Sequence, residues 1–127
     1  MLKDFVKAEK PQDEELKQRI REAGEKLAAQ QNQIKEHKIP VLVLMEGWGT
    51  AGKGSLIGEV IKYLDPRFFK VAAMNVPTEE EKRKPFLYRY FQKIPEAGKF
   101  MFLDTGWMDE ITRQRLNGEM DDKVYEQ

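Results

Sequence analysis

The fold of this chain is decided by one stretch, Val41-Leu42-Val43-Leu44-Met45-Glu46-Gly47-Trp48-Gly49-Thr50-Ala51-Gly52-Lys53-Gly54-Ser55. Five apolar residues precede a glycine-rich segment, and an amphipathic segment follows, which predicts a buried strand, a turn and a helix. Gly47, Gly52 and Lys53 have the G-x-x-x-x-G-K spacing of a phosphate-binding loop. Glycines let the backbone curl until its N–H groups point at phosphate oxygens, and the lysine reaches the terminal phosphates. The predicted phosphate-binding residues are Gly47, Gly49, Thr50, Ala51, Gly52, Lys53, Gly54 and Ser55.

The eighth position of this motif departs from the usual pattern. Gly54 stands where a serine or threonine hydroxyl normally holds a magnesium ion, and Ser55 comes one residue late. Either the metal is held differently, or the site has lost a ligand. An ordinary glycine-rich turn is the alternative to a phosphate loop, but the flanking pattern favours the loop, with Lys53 at its open mouth.

Composition sets modest bounds on function. The chain has 127 residues, which suits one domain, and Lys plus Arg equal Asp plus Glu at 22 each. No overall field favours nucleic acid or a membrane, so a polyanion must be held by a local basic cluster. The absence of cysteine excludes disulfides and thiolate metal sites, and no apolar run is long enough to span a membrane. These features predict a cytoplasmic protein without nucleic-acid or membrane partners.

An amphipathic helix is predicted over residues 12–37. Apolar residues recur at alternating spacings of four and three, with Gln30 or Gln31 completing the stripe. A short coiled-coil seam is the alternative, but too few clean heptads are present, which favours docking on the chain's own sheet. His37 is interpreted as a cap or surface residue. Residues 1–38 are assigned to this N-terminal helix and residues 39–127 to a phosphate-binding core.

The core alternates strands and helices. Thr78 and Glu81 fit a capping box. Alternation predicts an α/β fold with a parallel sheet, right-handed crossovers and ligands at the carboxyl edge of the strands. The predicted elements are a helix after the loop that ends at Asp65-Pro66, a strand over 70–75, a charged helix from Pro77-Thr78 to Ile94-Pro95, a strand over 100–104, a helix over 105–117 and a polar tail from Gly118.

Asp104 ends the third predicted strand, at the same edge as the phosphate loop. A carboxylate in that place is where phosphoryl-transfer proteins of this class hold magnesium. The alternative is that Asp104 caps the following helix, as aspartate often does. Both roles coexist only if one carboxylate oxygen faces the metal.

Several motifs in this order resemble the polyphosphate kinase 2 family over about residues 39–110. The resemblance implies a P-loop kinase fold, magnesium as cofactor, and transfer of phosphoryl groups between inorganic polyphosphate and nucleotides such as AMP or ADP. The Gly-Trp opening looks most like members that act on AMP, several of which carry two such domains. The motifs are Glu46-Gly47-Trp48, Ala51-Gly52-Lys53-Gly54, Leu64-Asp65-Pro66-Arg67, Pro77-Thr78-Glu79, Tyr88-Arg89-Tyr90-Phe91, Ile94-Pro95, Ala97-Gly98, Asp104 and Trp107.

The resemblance implies three catalytic residues. Lys53 and the loop amides would bind the transferred phosphate, Asp104 would bind magnesium, and Arg89 would reach toward phosphate. A basic track for polyphosphate could extend over Lys82, Arg83 and Lys84. The alternative is a solvated helix face, in which these cations pair with Glu79, Glu80 and Glu81.

This chain departs from the family pattern at the metal and arginine positions. Gly49 replaces an aspartate that shares the magnesium, and Glu110 introduces a negative charge where phosphate should bind. After the strand-end aspartate the family continues with arginine, serine, tryptophan, tyrosine, asparagine and arginine, where this chain has Thr105, Gly106, Trp107, Met108, Asp109 and Glu110.

Two functional interpretations follow. The chain is the phosphate-binding part of a polyphosphate:AMP phosphotransferase whose lid and later strands are missing here, or it is an impaired copy that serves assembly or polyphosphate holding. Another small-molecule P-loop kinase is a weaker third possibility. A three-stranded sheet leaves exposed edges, so association with a second copy or a second domain of the same parent chain is expected.

Overall fold

The computed structural model describes residues 13–119. Within that range no helix combines the length and the apolar character that a bilayer span needs. The elements are α1 (Asp13–Glu36), β1 (Val41–Met45), α2 (Lys53–Ile61), a 3-10 turn (Pro66–Phe68), β2 (Phe69–Ala73), α3 (Glu79–Lys82), α4 (Tyr88–Phe91), β3 (Phe100–Asp104) and α5 (Trp107–Leu116).

The three strands form a parallel sheet in the order β1-β3-β2. Strand β3 lies in the centre, and its first four residues are buried, as expected for a continuous apolar strand covered on both faces. Met45 and Ala73 both stand opposite Asp104 in the register, so all three strands end at one edge. The predicted α/β fold with a parallel sheet is confirmed.

Two hydrophobic clusters cover the two faces of the sheet. Phe100 and Phe102 of β3 pack with Ile57 and Leu64, whereas Met101 and Leu103 pack with Tyr90. Side chains alternate between faces along a strand, which places consecutive β3 residues in different clusters. Helices α1 and α2 therefore cover one face, and α4 and α5 contribute to the other.

Helix α1 docks through its second half. Leu27 and Ile34 pack against the Phe100 cluster, whereas Leu16 and Ile20 remain exposed. Gln31 is buried, and its amide exchanges two hydrogen bonds with the backbone of Asp65, at 2.8 and 3.3 Å. Docking on the chain's own core is thus confirmed for this half, and Gln31 rather than Gln30 completes the buried stripe. Residue 12, where the helix was predicted to begin, lies outside the described residues.

The charged segment after β2 does not form one helix. The prediction of a single helix from Pro77-Thr78 to Ile94-Pro95 is wrong, because α3 and α4 are separate four-residue helices. Pro85 lies between them, and a proline lacks the N–H that a continuous helix needs and disfavours helical backbone at the residue before it. The capping box is confirmed: Thr78 and Glu81 exchange hydrogen bonds of 3.2 and 2.9 Å.

Three further boundaries differ from the predicted ones. Helix α2 ends at Ile61 instead of at Asp65-Pro66, because the N–H groups of Tyr63 and Leu64 bond to carbonyls three residues back, as in a tightened last turn. The second strand covers Phe69–Ala73 instead of 70–75, because only these residues pair with β3 in the sheet register. The last helix begins at Trp107, since Thr105 has a left-handed φ of 79° that a helix cannot contain. Gly118 and Glu119 follow α5 outside the helix, and the rest of the predicted polar tail lies outside the described residues.

Self-association is expected from the outer edges of the sheet. Among the described residues, β1 and β2 each pair only with β3, and Val71 on β2 is 45% exposed. Unpaired strand edges are templates for pairing with another chain. Light scattering across a concentration series should show dimers or larger species, and a monomer that persists at high concentration would contradict this prediction.

Candidate phosphate-binding site

The pairing of β1 with β3 brings the glycine-rich loop beside Asp104. The loop follows Met45 directly, and Met45 stands opposite Asp104. The two segments border an open cavity of about 420 Å³. Its lining residues are Gly49, Thr50, Gly52, Lys53, Gly54, Ser55, Asp104 and Thr105. Six of the eight predicted phosphate-binding residues therefore line one cavity together with the predicted metal ligand.

The loop backbone has the curl that a phosphate cradle requires. Gly47 and Gly52 adopt φ values of 146° and 87°, which side-chain-bearing residues rarely adopt. Gly52 is the N-cap of α2, without a side-chain cap, and its carbonyl accepts the first helical hydrogen bond from Leu56 at 2.9 Å. The N–H groups of the first turn of α2 thus lack helical acceptors, and they lie at the positive end of the helix dipole. This arrangement suits an anion.

Lys53 is folded back onto its own loop. Its side chain is only 10% exposed, so the expectation that it lies at the open mouth is wrong. The Nζ atom donates to the carbonyl oxygens of Gly47 at 2.5 Å and Trp48 at 3.2 Å. It also lies 3.4 Å from Oδ2 of Asp109, the third residue of α5. The ammonium group is drawn inward because three oxygen atoms of the protein surround it.

Asp104 faces the loop across the cavity. Its Oδ2 lies 3.5 Å from the position that a Cβ atom on Gly54 would occupy, so Gly54 leaves open the place of a hydroxyl ligand. Within residues 13–119 no three histidine, aspartate or glutamate side chains converge as a metal site. Mg²⁺ commonly binds through one or two carboxylates together with substrate phosphates and water. Asp104 fits that kind of site as its one protein carboxylate.

Glu46, not Asp104, caps the helix that follows β3. Its carboxylate accepts hydrogen bonds from the backbone N–H groups of Met108 at 3.3 Å and Asp109 at 3.2 Å. The N-cap residue Gly106 provides no side-chain cap, and a Cβ there would lie 2.0 Å from the Glu46 carboxylate. Glycine at this position therefore lets Glu46 reach the helix end, and Asp104 is left facing the cavity.

Arg89 does not share the cavity of the loop. It is buried, donates to the carbonyl of Asn75, and its Nε lies 4.0 Å from Glu81 without a hydrogen-bond partner. A second cavity of about 240 Å³ is lined by Arg89 together with Lys82 and Lys84, whereas Arg83 is exposed outside it. The structure thus separates Arg89 and the predicted basic track from the Lys53 and Asp104 pair.

The alternative to a basic track was that its cations pair with nearby glutamates on a solvated helix face, and Lys82 does so. Its Nζ lies 2.7 Å from Glu79, a surface ion pair one helical turn away. Lys84 instead extends over the ring of Tyr88, with its Nζ 5.7 Å from the ring centre. Surface pairs of this kind contribute little to stability, so Lys82 can exchange its partner at small cost.

Glu110 occupies a largely buried position beside the second cavity. Its side chain is 11% exposed and accepts hydrogen bonds from Arg113, at 2.6 and 3.2 Å, and from Gln114 at 2.7 Å. Burial opposes ionisation of Glu110, but the hydrogen bonds from Arg113 and Gln114 outweigh it and lower its pKa. The carboxylate is therefore ionised at neutral pH and forms an ion pair with the guanidinium of Arg113.

Two residues that contact the candidate site were not among the predicted site residues, namely Glu46 and Asp109. Both act across the sheet edge: Glu46 follows β1, Asp109 belongs to α5, and the strands before them are neighbours. The only available signal was indirect. An acid that directly follows a strand, or lies in the first turn of a helix after one, is a candidate for helix capping or for pairing with a loop cation.

Comparison with known protein families gives one match. A sequence profile of polyphosphate kinase 2 matches residues 10–127. A polyphosphate:AMP phosphotransferase of Pseudomonas syringae pv. tomato is 34% identical over 85 residues, which are 67% of this chain and 17% of that relative. The ADP-polyphosphate phosphotransferase 3 of Rhizobium meliloti is 31% identical over 99 residues, which are 78% of this chain and 35% of that relative.

Solved structures agree with these sequence matches. A Pseudomonas aeruginosa protein assigned to polyphosphate kinase 2 superposes with a TM-score of 0.85 at 26% identity, over 98% of this chain and 27% of that one. The polyphosphate kinase 2 of Arthrobacter aurescens gives a TM-score of 0.78 at 28% identity, over 84% of this chain and 40% of that one. The chain spans well under half of each relative and structure compared. With nearly its whole length matched by the profile, the chain belongs to the polyphosphate kinase 2 family.

Proposed function

We propose that this chain is the phosphate-binding part of a polyphosphate-dependent nucleotide phosphotransferase, and that this segment is itself impaired in catalysis. In the proposed reaction the terminal phosphoryl group of polyphosphate passes to a phosphate oxygen of AMP, which gives ADP and a shorter polyphosphate. The observation that carries the proposal is the strand register, which sets the loop of Lys53 beside Asp104 at one sheet edge. Relatives named for transfer between polyphosphate and AMP or ADP support the substrate class.

Each residue has a distinct part in the proposed site. The N–H groups at the start of α2 bind phosphate oxygens, and Lys53 pairs with the terminal phosphate after it leaves its inward contacts. Asp104 holds the magnesium proposed as cofactor, which neutralises charge on the transferred group when it is bound. Arg89, with Lys82, Arg83 and Lys84, is proposed to hold a more distant part of a phosphate chain, since it lines a separate cavity.

Impaired catalysis is proposed because few side chains near the loop can neutralise the charge of the transferred phosphoryl group. Gly49 and Thr105 line the cavity of the loop without charge. Glu110, which the sequence suggested would repel phosphate there, instead lines the second cavity and is paired with Arg113. A domain that holds polyphosphate or supports assembly, while a second domain of the parent chain reacts, is the alternative that these residues favour. If polyphosphate does not bind, the third interpretation, a different small-molecule P-loop kinase, is preferred. We further propose a cytoplasmic location, and assembly with a second copy or domain.

Lys53→Ala tests the phosphate site. Binding of magnesium tripolyphosphate is expected to weaken by about 1.5–3 kcal/mol, the usual contribution of a hydrogen bond to a charged group. Titration calorimetry measures the affinity. Tryptophan emission gives a second signal, because Trp48 is 82% exposed on the loop, with Trp107 as the second emitter. Lys62→Ala is the matched control, because Lys62 is the exposed C-cap residue of α2 and pairs with Glu59. Equal affinities for the wild type and Lys53→Ala would overturn the phosphate-site proposal.

Gly49→Asp tests whether the missing acid can be restored. A Cβ on Gly49 would meet no atom within 4 Å beyond its chain neighbours, so the position has room for the start of a side chain. It should weaken binding of metal-free tripolyphosphate through repulsion, and strengthen binding of the magnesium complex if Asp104 is the other metal ligand. Calorimetry with magnesium and with a chelator measures the two affinities. A change in the same direction in both conditions would contradict this prediction.

A further inference from the structure

Asp109 stands in direct contact with the cation on which phosphate binding depends. Its Oδ2 lies 3.4 Å from Nζ of Lys53, and the two side chains are 29% and 10% exposed. The carbonyl oxygens of Gly47 and Trp48 complete the surroundings of the ammonium group. Partial burial makes such a pair less screened than a surface ion pair. A phosphate group that is to use Lys53 must therefore first displace a carboxylate of the protein itself.

The charges around the loop make this competition stronger. Lys53 is the one cation among the described residues that line the cavity, Asp104 lines the same cavity, and Asp109 contacts the Lys53 ammonium group. A bare phosphate chain would enter beside more negative than positive side chains, which opposes its binding. A divalent cation bound to the phosphate chain is attracted to Asp104 and Asp109, whereas the bare phosphate chain is repelled by them.

We propose that Asp109 is a positioning residue that holds Lys53 inward, so that the loop takes phosphate chains as complexes with a divalent cation rather than as bare anions. The inference rests on the proposed function of the loop as a phosphate site. It assigns to Asp109 a selectivity between two forms of the same ligand. The alternative is a purely structural role, in which Asp109 is a favourable acid in the first turn of α5.

Asp109→Asn separates these roles, because asparagine keeps the shape of the side chain and removes its charge. The 127-residue chain and its variants are titrated with tripolyphosphate, once in a chelator and once with excess magnesium. The affinity for metal-free tripolyphosphate is expected to rise about tenfold, which corresponds to about 1.4 kcal/mol. The affinity for the magnesium complex should change by less than about threefold, since the lost repulsion and the lost attraction offset each other. The ratio of the affinity with magnesium to the affinity without it should therefore be smaller for Asp109→Asn than for the wild type.

Glu25→Gln is the control for the change in net charge, because Glu25 lies exposed on α1 and pairs with Arg21. It should leave both affinities unchanged. Circular dichroism checks that each variant is folded, and Asp109→Ser provides a second uncharged side chain if asparagine disturbs the helix. A shift of equal size in both conditions, or no gain without metal, would overturn the role of Asp109.

Lys53→Ala distinguishes failure of this inference from failure of the proposed function. If magnesium tripolyphosphate binds independently of Lys53, or does not bind at all, the phosphate site and the role of Asp109 both fall. If binding depends on Lys53 but Asp109→Asn keeps the wild-type magnesium dependence, only the role of Asp109 falls. A tenfold gain in metal-free affinity that disappears when Lys53→Ala is added would support the inference, because Asp109 then acts through Lys53.

Discussion

Assayed alone with magnesium, the 127-residue chain is expected to transfer phosphoryl groups from polyphosphate to AMP at least about a hundredfold more slowly than ~1 s⁻¹, the low end of ordinary turnover. Gly49 and Thr105 supply no charge to the cavity that holds Lys53 and Asp104. Loss of a single group that stabilises transition-state charge already costs about a hundredfold or more in rate. Coupled detection of ADP measures this transfer.

A full-length relative provides the positive control for that assay. The Pseudomonas syringae polyphosphate:AMP phosphotransferase should give ADP under the same conditions, which excludes failure of the coupling system. Turnover of about 1 s⁻¹ or more by the 127-residue chain would show that it is not impaired. In that case Lys53 must leave its contacts with Asp109 and the loop carbonyls easily, and the holding-domain alternative would lose its support.

Gly24→Ala is expected to lower the free energy of unfolding by about 1–3 kcal/mol, the usual range for overpacking. In an isolated helix the same change would instead stabilise by about 0.5–1 kcal/mol. The reversal has a steric cause, since a Cβ on Gly24 would lie 2.4 Å from the ring of Tyr63. Gly24 is buried on α1 against Tyr63, which lies two residues after α2, and the alanine must push the ring or the helix away.

Gly58→Ala is the matched control, because Gly58 lies inside α2 and a Cβ there would meet nothing within 4 Å. It should raise the free energy of unfolding by about 0.5–1 kcal/mol, since alanine reduces the conformational entropy of the unfolded chain. Urea denaturation followed by circular dichroism measures both variants. If both alanines stabilise the chain equally, α1 does not pack against Tyr63 as described.

The sequence predicted those features that depend on residues a few positions apart. Apolar runs followed by glycines gave the strand, loop and helix around Lys53, and the spacing of Thr78 and Glu81 gave a capping box that the structure contains. Element boundaries did not follow as well from the sequence. The charge pattern predicts one continuous helix, whereas Pro85 lies between the separate helices α3 and α4. The left-handed backbone of Thr105 likewise has no signature in periodicity, since threonine rarely adopts it.

The presence of Lys53 and Asp104 at one edge also followed from the sequence, because parallel strands end on the same side of their sheet. That the two segments are neighbours did not follow. It depends on the strand order β1-β3-β2, in which β3 lies directly beside β1. Family resemblance supplied the roles of these residues, and the structure supplied their proximity.

Side-chain partners far apart in the sequence were decided only by the tertiary structure. The pairing of Lys53 with Asp109, the capping of α5 by Glu46 and the burial of Arg89 join residues on different elements. Such contacts depend on distances after folding and on competition among several possible partners, neither of which is written in local spacing. The sequence by itself therefore determined that a phosphate loop and an acid share one edge of a parallel sheet. The folded chain decided that the loop cation is already paired with a carboxylate, because Glu46 binds the first turn of α5 directly after β1, where Asp109 contacts Lys53.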